Sequence, residues 1–207
     1  MDNEKQKEFF PYTEIELDAL KGKDKKLAAV IDHYGIIERE INRDLFSALV
    51  GSIIAQQISS KAAKTVEARL YLFCGGITPE QICAAELSGI QECGMSIRKA
   101  AYIKKAGEAV CSGAIDLSAL EGKPDEEVIA LLSALPGIGV WTAEMLLIFS
   151  LGRLDVLSYG DLAIRRGLSK LYCHKKLTKE QFARYKKRYS PYGSIASLYL
   201  WRLSVEQ

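Results

Sequence analysis

The 207-residue chain is 48% hydrophobic and 26% charged, with a formal net charge of +2. These proportions are typical of a globular protein and exclude a disordered, collagenous or low-complexity chain. At roughly 150 residues per domain, the length predicts one domain or two interleaved lobes.

Charge is distributed unevenly along the chain. Residues 153–207 contain 12 Lys and Arg against 4 Asp and Glu, a net of +8, whereas residues 1–152 carry a net of −6. A basic C-terminal quarter is consistent with a protein that binds an anionic partner through one face. It is equally consistent with a solvated charged surface.

Cysteine and histidine give no indication of a metal site. The five cysteines lie nine or more positions apart, without a Cys-x-x-Cys pair, and His33 and His174 stand alone. We therefore expect neither a zinc ribbon nor an iron–sulfur cluster.

Signals for export or membrane insertion are also missing. Met1 to Glu8 is charged rather than apolar, unlike a signal segment. Between Val128 and Gly152 only Glu144 is charged, but the Pro-Gly-Ile-Gly stretch 136–139 divides this run into pieces too short to cross a bilayer. We expect a soluble, reduced, intracellular protein.

The helical period runs through almost every segment, and no stretch alternates long enough to predict a strand. Caps, Pro and Gly then place the helix ends. In chain order the predicted helices are Leu27 to Tyr34, one capped by Asp44, one from Ser59 or Ser60 to Gly75-Gly76, one starting at Thr78-Pro79-Glu80, one starting at Ser96, Pro124 to Ala134, Val140 to Leu151, Asp161 to Leu171, Thr178 to Tyr189, and Ser194 to Leu203. The sequence therefore predicts an all-α fold.

The turn in Leu135-Pro-Gly-Ile-Gly-Val-Trp-Thr-Ala143 is the most informative stretch. Its glycines permit positive φ and leave no Cβ in front of the backbone. Such a turn directs the amides of the following helix outward, where they can hold a phosphate. Leu135 and Ile138 are expected to anchor the turn in the core. An ordinary helix–helix connection is the alternative, but the flanking apolar residues and the immediate helix favour the phosphate site.

Five segments, in order, cover roughly residues 44 to 204 and carry a family resemblance: Ala55-Gln-Gln-Ile-Ser-Ser-Lys-Ala-Ala63, Gly94-Met-Ser-Ile-Arg-Lys-Ala-Ala-Tyr102, Leu135 to Ala143, Asp155-Val-Leu-Ser-Tyr-Gly-Asp161, and Pro191-Tyr-Gly-Ser-Ile-Ala-Ser-Leu-Tyr-Leu-Trp201. Together they resemble the helix-hairpin-helix base-excision DNA glycosylases, and within them the DNA-3-methyladenine glycosylase II branch, which removes alkylated bases. The resemblance implies two α-helical lobes, 1–43 with 155–207 and 44–154, the second ending in the hairpin. It also implies an active site in the cleft between the lobes.

Asp161 occupies the position, twenty residues after Trp141, where this superfamily carries its catalytic aspartate. A carboxylate there can stabilise the positive charge that develops on the sugar and can align or deprotonate the attacking water. Aspartate at a helix start is also a common N-cap, and the two roles are compatible. Asp155, six residues earlier, is interpreted as structural.

The position of Trp141 separates branches of the superfamily. Bifunctional relatives place a Schiff-base lysine there, two residues after the second hairpin glycine, and this chain has no lysine between Lys123 and Arg153. Because a Schiff base needs an amine, the resemblance implies a monofunctional enzyme without lyase activity.

The resemblance also implies the binding residues. Trp141 and Tyr192, together with Met145, would line a pocket for the extruded base, where aromatic faces favour a cationic alkylated base. Core packing is the alternative for both aromatics, and Trp201 is assigned to the core. The expected DNA contacts are Gln57 or Ile58 as the wedge, with Ser59, Leu135, Gly137, Ile138 and Gly139.

Three positions depart from the family pattern. Gly160 stands where a second acidic residue is frequent, and Tyr192 and Gly193 stand where a tryptophan and an arginine are frequent. These departures bear on the substrate range more than on the reaction.

The sequence thus predicts a monomeric, monofunctional DNA glycosylase for 3-methyladenine-type bases in double-stranded DNA. We expect no metal or other cofactor, with a monovalent cation at the hairpin as the one ion allowed, and a cytoplasmic location at the nucleoid in a prokaryote. One alternative is a glycosylase for oxidised or mismatched bases, which Trp141 disfavours. Another is a non-catalytic helix-hairpin-helix DNA-binding module, which would not need Asp161, Trp141 and Tyr192 together.

Overall fold

The computed structural model describes residues 7–206, and within this range the chain is almost entirely helical. A short antiparallel pair, β1 (Glu8–Phe9) and β2 (Glu40–Ile41), aligns Glu8 with Ile41 and Phe9 with Glu40. The helices are α1 (Glu14–Lys23), α2 (Lys25–Tyr34), α3 (Leu45–Ala55), α4 (Ser60–Cys74), α5 (Pro79–Ala84), α6 (Leu87–Glu92), α7 (Ile97–Cys111), a 3₁₀ helix (Ser118–Gly122), α8 (Asp125–Ser133), α9 (Val140–Phe149), α10 (Leu162–Tyr172), α11 (Lys179–Tyr189) and α12 (Gly193–Val205).

The predicted helix starts are confirmed where a side chain caps the first turn. Asp44, Ser59 and Ser96 each accept a hydrogen bond from the amide three residues later, so α4 begins after Ser59. At the other end of α4, Gly75 has φ of 73°, a left-handed conformation that suits glycine at a helix C-terminus.

Helices α1 and α6, the 3₁₀ helix and the two short strands were not predicted. The apolar period of α1 is weak because only two of its ten residues, Leu17 and Leu20, are buried. Each strand is two residues long, which is too short to produce a visible alternation. The all-α class is nevertheless confirmed.

The chain divides into two compact units. The first comprises the described residues up to Ile41 and those from Leu147 onward, and the second comprises Asn42–Leu146. The second boundary falls inside α9; the boundaries predicted from the sequence lie after residues 43 and 154.

The first unit is built around the packing of α10 on α12. A Cβ on Gly167 would lie 2.3 Å from the carbonyl oxygen of Leu200, so glycine is what allows the two helices to approach this closely. Ile164 and Leu168 of α10 and Ile195 of α12 are fully buried beside this contact zone.

Asp24 is the centre of a polar cluster in the first unit. Its carboxylate caps α2 through the amides of Lys26 and Leu27, both at 3.0 Å. The same carboxylate accepts hydrogen bonds of 2.5 Å from the Tyr172 hydroxyl and the Arg188 guanidinium. Burial alone would raise the pKa of Asp24, but these hydrogen bonds outweigh it and leave the pKa below its ordinary value.

The second unit packs α5 and α6 on α7, and α3 on both α4 and α7. Its buried side chains include Ile53 of α3, Leu70 of α4, Ile82 of α5 and Ile103 of α7. Helix α7 is therefore the element on which α3, α5 and α6 converge.

No helix within residues 7–206 is both long and apolar enough to span a membrane. The charged segment from Met1 to Glu8, on which the expectation of no signal peptide depends, lies mostly outside the described residues.

Candidate functional site

Two buried apolar side chains anchor the hairpin between α8 and α9 in the core. Leu135 and Ile138 are buried, as predicted, and the Ile138 amide donates to the Leu135 carbonyl at 3.1 Å. The Gly139 carbonyl then accepts from the Ala143 amide at 3.0 Å and opens α9. The first amides of α9 thus follow directly on a tightly closed turn.

The two hairpin glycines have different roles, which corrects the expectation of positive φ at both. Gly137 has φ of 86°, and a Cβ there would lie 2.4 Å from Cδ2 of Tyr102. Gly139 lies outside the left-handed region, and no atom lies within 4 Å of its virtual Cβ. Glycine is therefore required by the fold at 137, whereas at 139 it leaves open space in front of the backbone.

The loop between α3 and α4 is tied to this hairpin. The Gln56 side-chain amide donates to the Gly137 carbonyl at 2.7 Å. The next residue, Gln57, has φ of 60°, an unusual conformation for a side-chain-bearing residue. Gln57, Ile58 and Ser59 are all exposed, so this geometry supports a projecting loop without choosing between Gln57 and Ile58 as its tip.

Lys99 of α7 forms hydrogen bonds to the same loop. Its ammonium donates to the carbonyl of Ile54 at 2.8 Å and to that of Gln56 at 2.6 Å. Burial, together with the nearby charge of Arg98, lowers the pKa of Lys99. The ammonium therefore satisfies carbonyls at the end of α3 that have no helical partner.

Gln56, Lys99 and Tyr102 were not among the predicted site residues. Lys99 and Tyr102 stand three residues apart and so share one side of α7, a spacing visible in the sequence. A lysine on a helix is usually solvated, however, so only the positions of the two loops disclose its role.

The predicted base-pocket side chains on α9 are accessible. Trp141 is 48% exposed in the first turn, and Met145, one turn later, is partly buried. The exposure of Trp141 weighs against the core-packing alternative. In the other unit, Tyr192 is partly buried and immediately precedes α12.

Asp161 lies at the start of α10 in the first unit. Its Oδ1 accepts from the Ile164 amide at 2.9 Å, and the residue is 6% exposed. Leu157 and Ile164 are buried nearby in sequence as expected, but Leu162 is 58% exposed because it begins the helix on the opposite side from Ile164. The predicted N-cap is confirmed, and it fixes the carboxylate in one orientation.

Asp155 has structural partners for both of its oxygens. Oδ1 accepts from the Gly193 amide at 3.0 Å, and Oδ2 accepts from the Ser190 hydroxyl at 2.5 Å. A Cβ on Gly193 would lie 3.0 Å from that Oδ1, which accounts for glycine at this departure from the family pattern. Asp155 therefore holds the start of α12.

Trp201 is only partly buried, although it was assigned to the core. Its ring lies 5.6 Å from that of Phe149, near the end of α12, where packing covers one face. All five cysteines are free thiols, and no group of three or more potential ligands in the described part of the chain is placed to hold a metal.

Comparison with known proteins gives one family and consistent relatives. Residues 50–191 match the family described as HhH-GPD superfamily base excision DNA repair protein. The chain is 34% identical over 196 residues to DNA-3-methyladenine glycosylase 1 of Schizosaccharomyces pombe, covering 92% of this chain and 86% of that protein.

Solved structures of similar proteins share the fold. A DNA-3-methyladenine glycosidase from Bacillus halodurans has a TM-score of 0.86 at 37% identity, covering 96% of this chain and 93% of that one. The 3-methyladenine DNA glycosylase of Schizosaccharomyces pombe, solved in complex with abasic DNA, has a TM-score of 0.77 at 33% identity, covering 91% and 95%.

Proposed function

Because the chain belongs to the HhH-GPD superfamily of base excision DNA repair proteins, we propose that it is a monofunctional DNA glycosylase that hydrolyses the N-glycosidic bond of alkylated, 3-methyladenine-type bases. The observation that carries this proposal is the similarity, over nearly the whole chain, to glycosylases named for that base. The oriented carboxylate of Asp161 supplies the chemistry.

Asp161 is the catalytic residue in this proposal. Departure of the base leaves positive charge on the sugar, and a carboxylate held by the Ile164 amide stabilises that charge without having to reorient. The same carboxylate aligns or deprotonates the water that attacks the anomeric carbon. An N-alkylated purine is already cationic and leaves as a neutral base, so no separate acid is needed.

Trp141 and the absence of a nearby amine support hydrolysis without strand cleavage. The chain has no lysine between Lys123 and Arg153, and a Schiff base requires an amine at the sugar carbon. The expected product is an intact abasic site.

Aromatic side chains would hold the extruded base. The half-exposed Trp141 ring offers an electron-rich face to a cationic base, with Met145 on the adjoining turn of α9. Tyr192, which precedes α12, is proposed as a further aromatic contact to the base. Stacking of this kind discriminates by charge, which suits alkylated purines.

The hairpin and the α3–α4 loop would contact double-stranded DNA that contains the damaged base. Open space at Gly139 lets a phosphate approach the first amides of α9, with Leu135, Gly137 and Ile138 shaping the turn. Gln57 or Ile58 would fill the gap left by the extruded base, and Ser59 would contact the DNA beside it. We propose a monomer that needs no metal or other cofactor, with a monovalent cation at the hairpin as the one ion allowed. It would work inside the cell, at the nucleoid in a prokaryote.

Release of bases from methylated DNA tests the proposal. Incubating the protein with methylated duplex DNA should release 3-methyladenine and leave abasic sites that break only after alkali. Borohydride should trap no protein–DNA adduct. Efficient trapping, or release of oxidised bases in preference to alkylated ones, would overturn it.

A further inference from the structure

A pair of cations converges on one aromatic ring next to Asp161. Tyr159, two residues before Asp161, has the Arg165 guanidinium carbon 5.2 Å from its ring centroid and the Lys179 ammonium 5.7 Å from it. The buried Phe182 packs edge-on against the ring, with centroids 5.1 Å apart and planes at 85°. We call Tyr159, Arg165 and Lys179 the Tyr159 clasp; all three belong to the first unit.

The two cations of the clasp form no ion pair in the described part of the chain. Within residues 7–206 the Arg165 Nε is also buried without a hydrogen-bond partner. Residues 162–205 contain 11 Lys and Arg, and Glu180 is their only acidic residue. The adjacent Glu180 attracts Lys179 but forms no ion pair with it. Buried polar groups are normally satisfied, so the partnerless Arg165 Nε and the two cations leave the clasp with a net positive charge.

The Tyr159 ring lowers the free-energy cost of placing the two cations together, although it carries no charge that would neutralise them. Attraction between a cation and the electron-rich face of an aromatic ring offsets part of the repulsion between the two nearby positive charges. Because Phe182 fixes the ring, the two cations are held together before any ligand arrives.

The clasp also lies close to the expected reaction centre. The Arg165 amide donates to the Asp161 carbonyl at 3.1 Å, which places Arg165 one helical turn beyond Asp161, about 5–6 Å along α10. A DNA strand carries a phosphate on both sides of every sugar. A strand whose sugar is at Asp161 must therefore bring a phosphate near this turn.

We propose that the Tyr159 clasp is a binding site for a backbone phosphate of the damaged strand, next to the nucleotide whose base is removed. The guanidinium of Arg165 suits two-point contact with phosphate oxygens, and Lys179, which is exposed, adds a second positive charge. This inference rests on the proposed glycosylase function and adds a second phosphate contact, independent of the hairpin.

Binding of a duplex with one tetrahydrofuran abasic analogue, measured over a range of salt concentrations, tests this inference. Arg165→Gln and Lys179→Gln should each weaken binding about five- to tenfold near 0.1 M salt and make the slope of log affinity against log salt shallower by about 0.9. The single-turnover rate at saturating protein should stay within about twofold, since phosphate contacts position the strand. Lys25→Gln, at an exposed lysine of α2, is the control and should match the wild type.

A neutral phosphate locates the contact. A duplex with a single methylphosphonate flanking the abasic analogue should bind the wild type more weakly at one of the two flanking positions. The Arg165→Gln/Lys179→Gln double variant should not distinguish that duplex from the unmodified one. If Arg165→Gln fails to fold, the same comparison with Lys179→Gln alone decides.

Unchanged affinity and salt slope in Lys179→Gln, with wild-type protein that releases methylated bases, would overturn the clasp and leave the proposed function intact. Wild-type protein that releases no base would overturn the proposed function itself. The two failures are therefore distinguishable.

Discussion

The side-chain amide of Gln56 reaches 81 residues along the chain and donates a 2.7 Å hydrogen bond to the carbonyl oxygen of Gly137. This bond joins the exposed α3–α4 loop to the hairpin, the two segments of the second unit that we propose contact DNA. Tyr102 packs against the same Gly137, and Lys99 of the same helix holds the loop. Helix α7 therefore supports both segments at once.

Replacing Gln56 with Met should separate loop from hairpin while keeping side-chain volume. We expect a loss of about 1 kcal/mol in unfolding free energy, the worth of one hydrogen bond, and weaker binding to abasic-site DNA. Gln81→Met is the control for DNA affinity, because Gln81 donates a similar 2.8 Å bond to the Gly75 carbonyl away from the site; it also removes the acceptor of the Thr78 amide in the capping box of α5. Equal DNA affinity in the two variants would contradict the coupling.

Lys99→Met should remove the support behind the α3–α4 loop. The Ile54 and Gln56 carbonyls lose their donor, which should cost about 1–3 kcal/mol of stability. The substitution should also reduce the rise in fluorescence of a 2-aminopurine base placed beside the lesion, because that rise reports unstacking of the DNA. Lys104→Met is the control, since Lys104 on the same helix donates to the Cys83 and Ala85 carbonyls. If both variants unstack DNA as the wild type does, the proposed support of the α3–α4 loop by Lys99 is wrong.

The hairpin glycines should respond in opposite ways to substitution. Gly137→Ala adds a Cβ at φ of 86° and 2.4 Å from the Tyr102 ring, so we expect a loss of about 2–3 kcal/mol from strain and overpacking. Gly139→Val meets open space and should melt within a few degrees of the wild type. Its affinity should nevertheless fall for all DNA sequences alike, because phosphate contacts do not read bases.

A well-folded Gly139→Val protein that binds abasic DNA normally would return the hairpin to the role of a helix connection. Thermal melts and affinity measurements on the two variants together give the comparison.

Asp161→Asn should abolish base release while preserving the fold, because the asparagine oxygen can still accept from the Ile164 amide. We expect the single-turnover rate to fall about 100-fold or more, with affinity for abasic DNA within a few fold. Asp155→Asn is the control and should retain most of the activity, since its partners are Ser190 and Gly193. A rate above about a tenth of the wild-type value would exclude Asp161 as the catalytic carboxylate.

Asp24 should make stability depend on pH in the acid range. Its pKa is lowered in the folded state, so the unfolded chain takes up the proton first as pH falls. The stabilisation is therefore complete above about pH 5 and is lost as pH drops below about 4, through the folded-state pKa.

Asp24→Asn should consequently cost about 2–3 kcal/mol near pH 7, from a weakened cap and a lost charged hydrogen bond. Denaturant unfolding should show this difference closing below about pH 4. Asp18→Asn, at a largely exposed carboxylate paired with Lys21, should show almost no difference at either pH. A pH-independent gap for Asp24→Asn would refute the assignment.

The sequence by itself determined most of the local structure. Helix caps such as Asp44 and Ser96, the stop at Gly75, and the apolar anchors Leu135 and Ile138 act within a few residues, so spacing and residue type suffice to predict them. The family resemblance rested on the same short segments, and it pointed to Asp161 and the hairpin.

Only the tertiary structure decided which distant residues support those segments. The bond from Gln56 to Gly137, the Lys99 contacts, and the convergence of Arg165 and Lys179 on Tyr159 join positions between 6 and 81 residues apart in sequence. No local pattern marks such pairs, because each side chain is ordinary for a solvated helix or loop. The different roles of Gly137 and Gly139 likewise follow from where Tyr102 packs. Contacts of this kind depend on how helices pack against one another, and that packing is fixed by the whole core rather than by neighbours in the sequence.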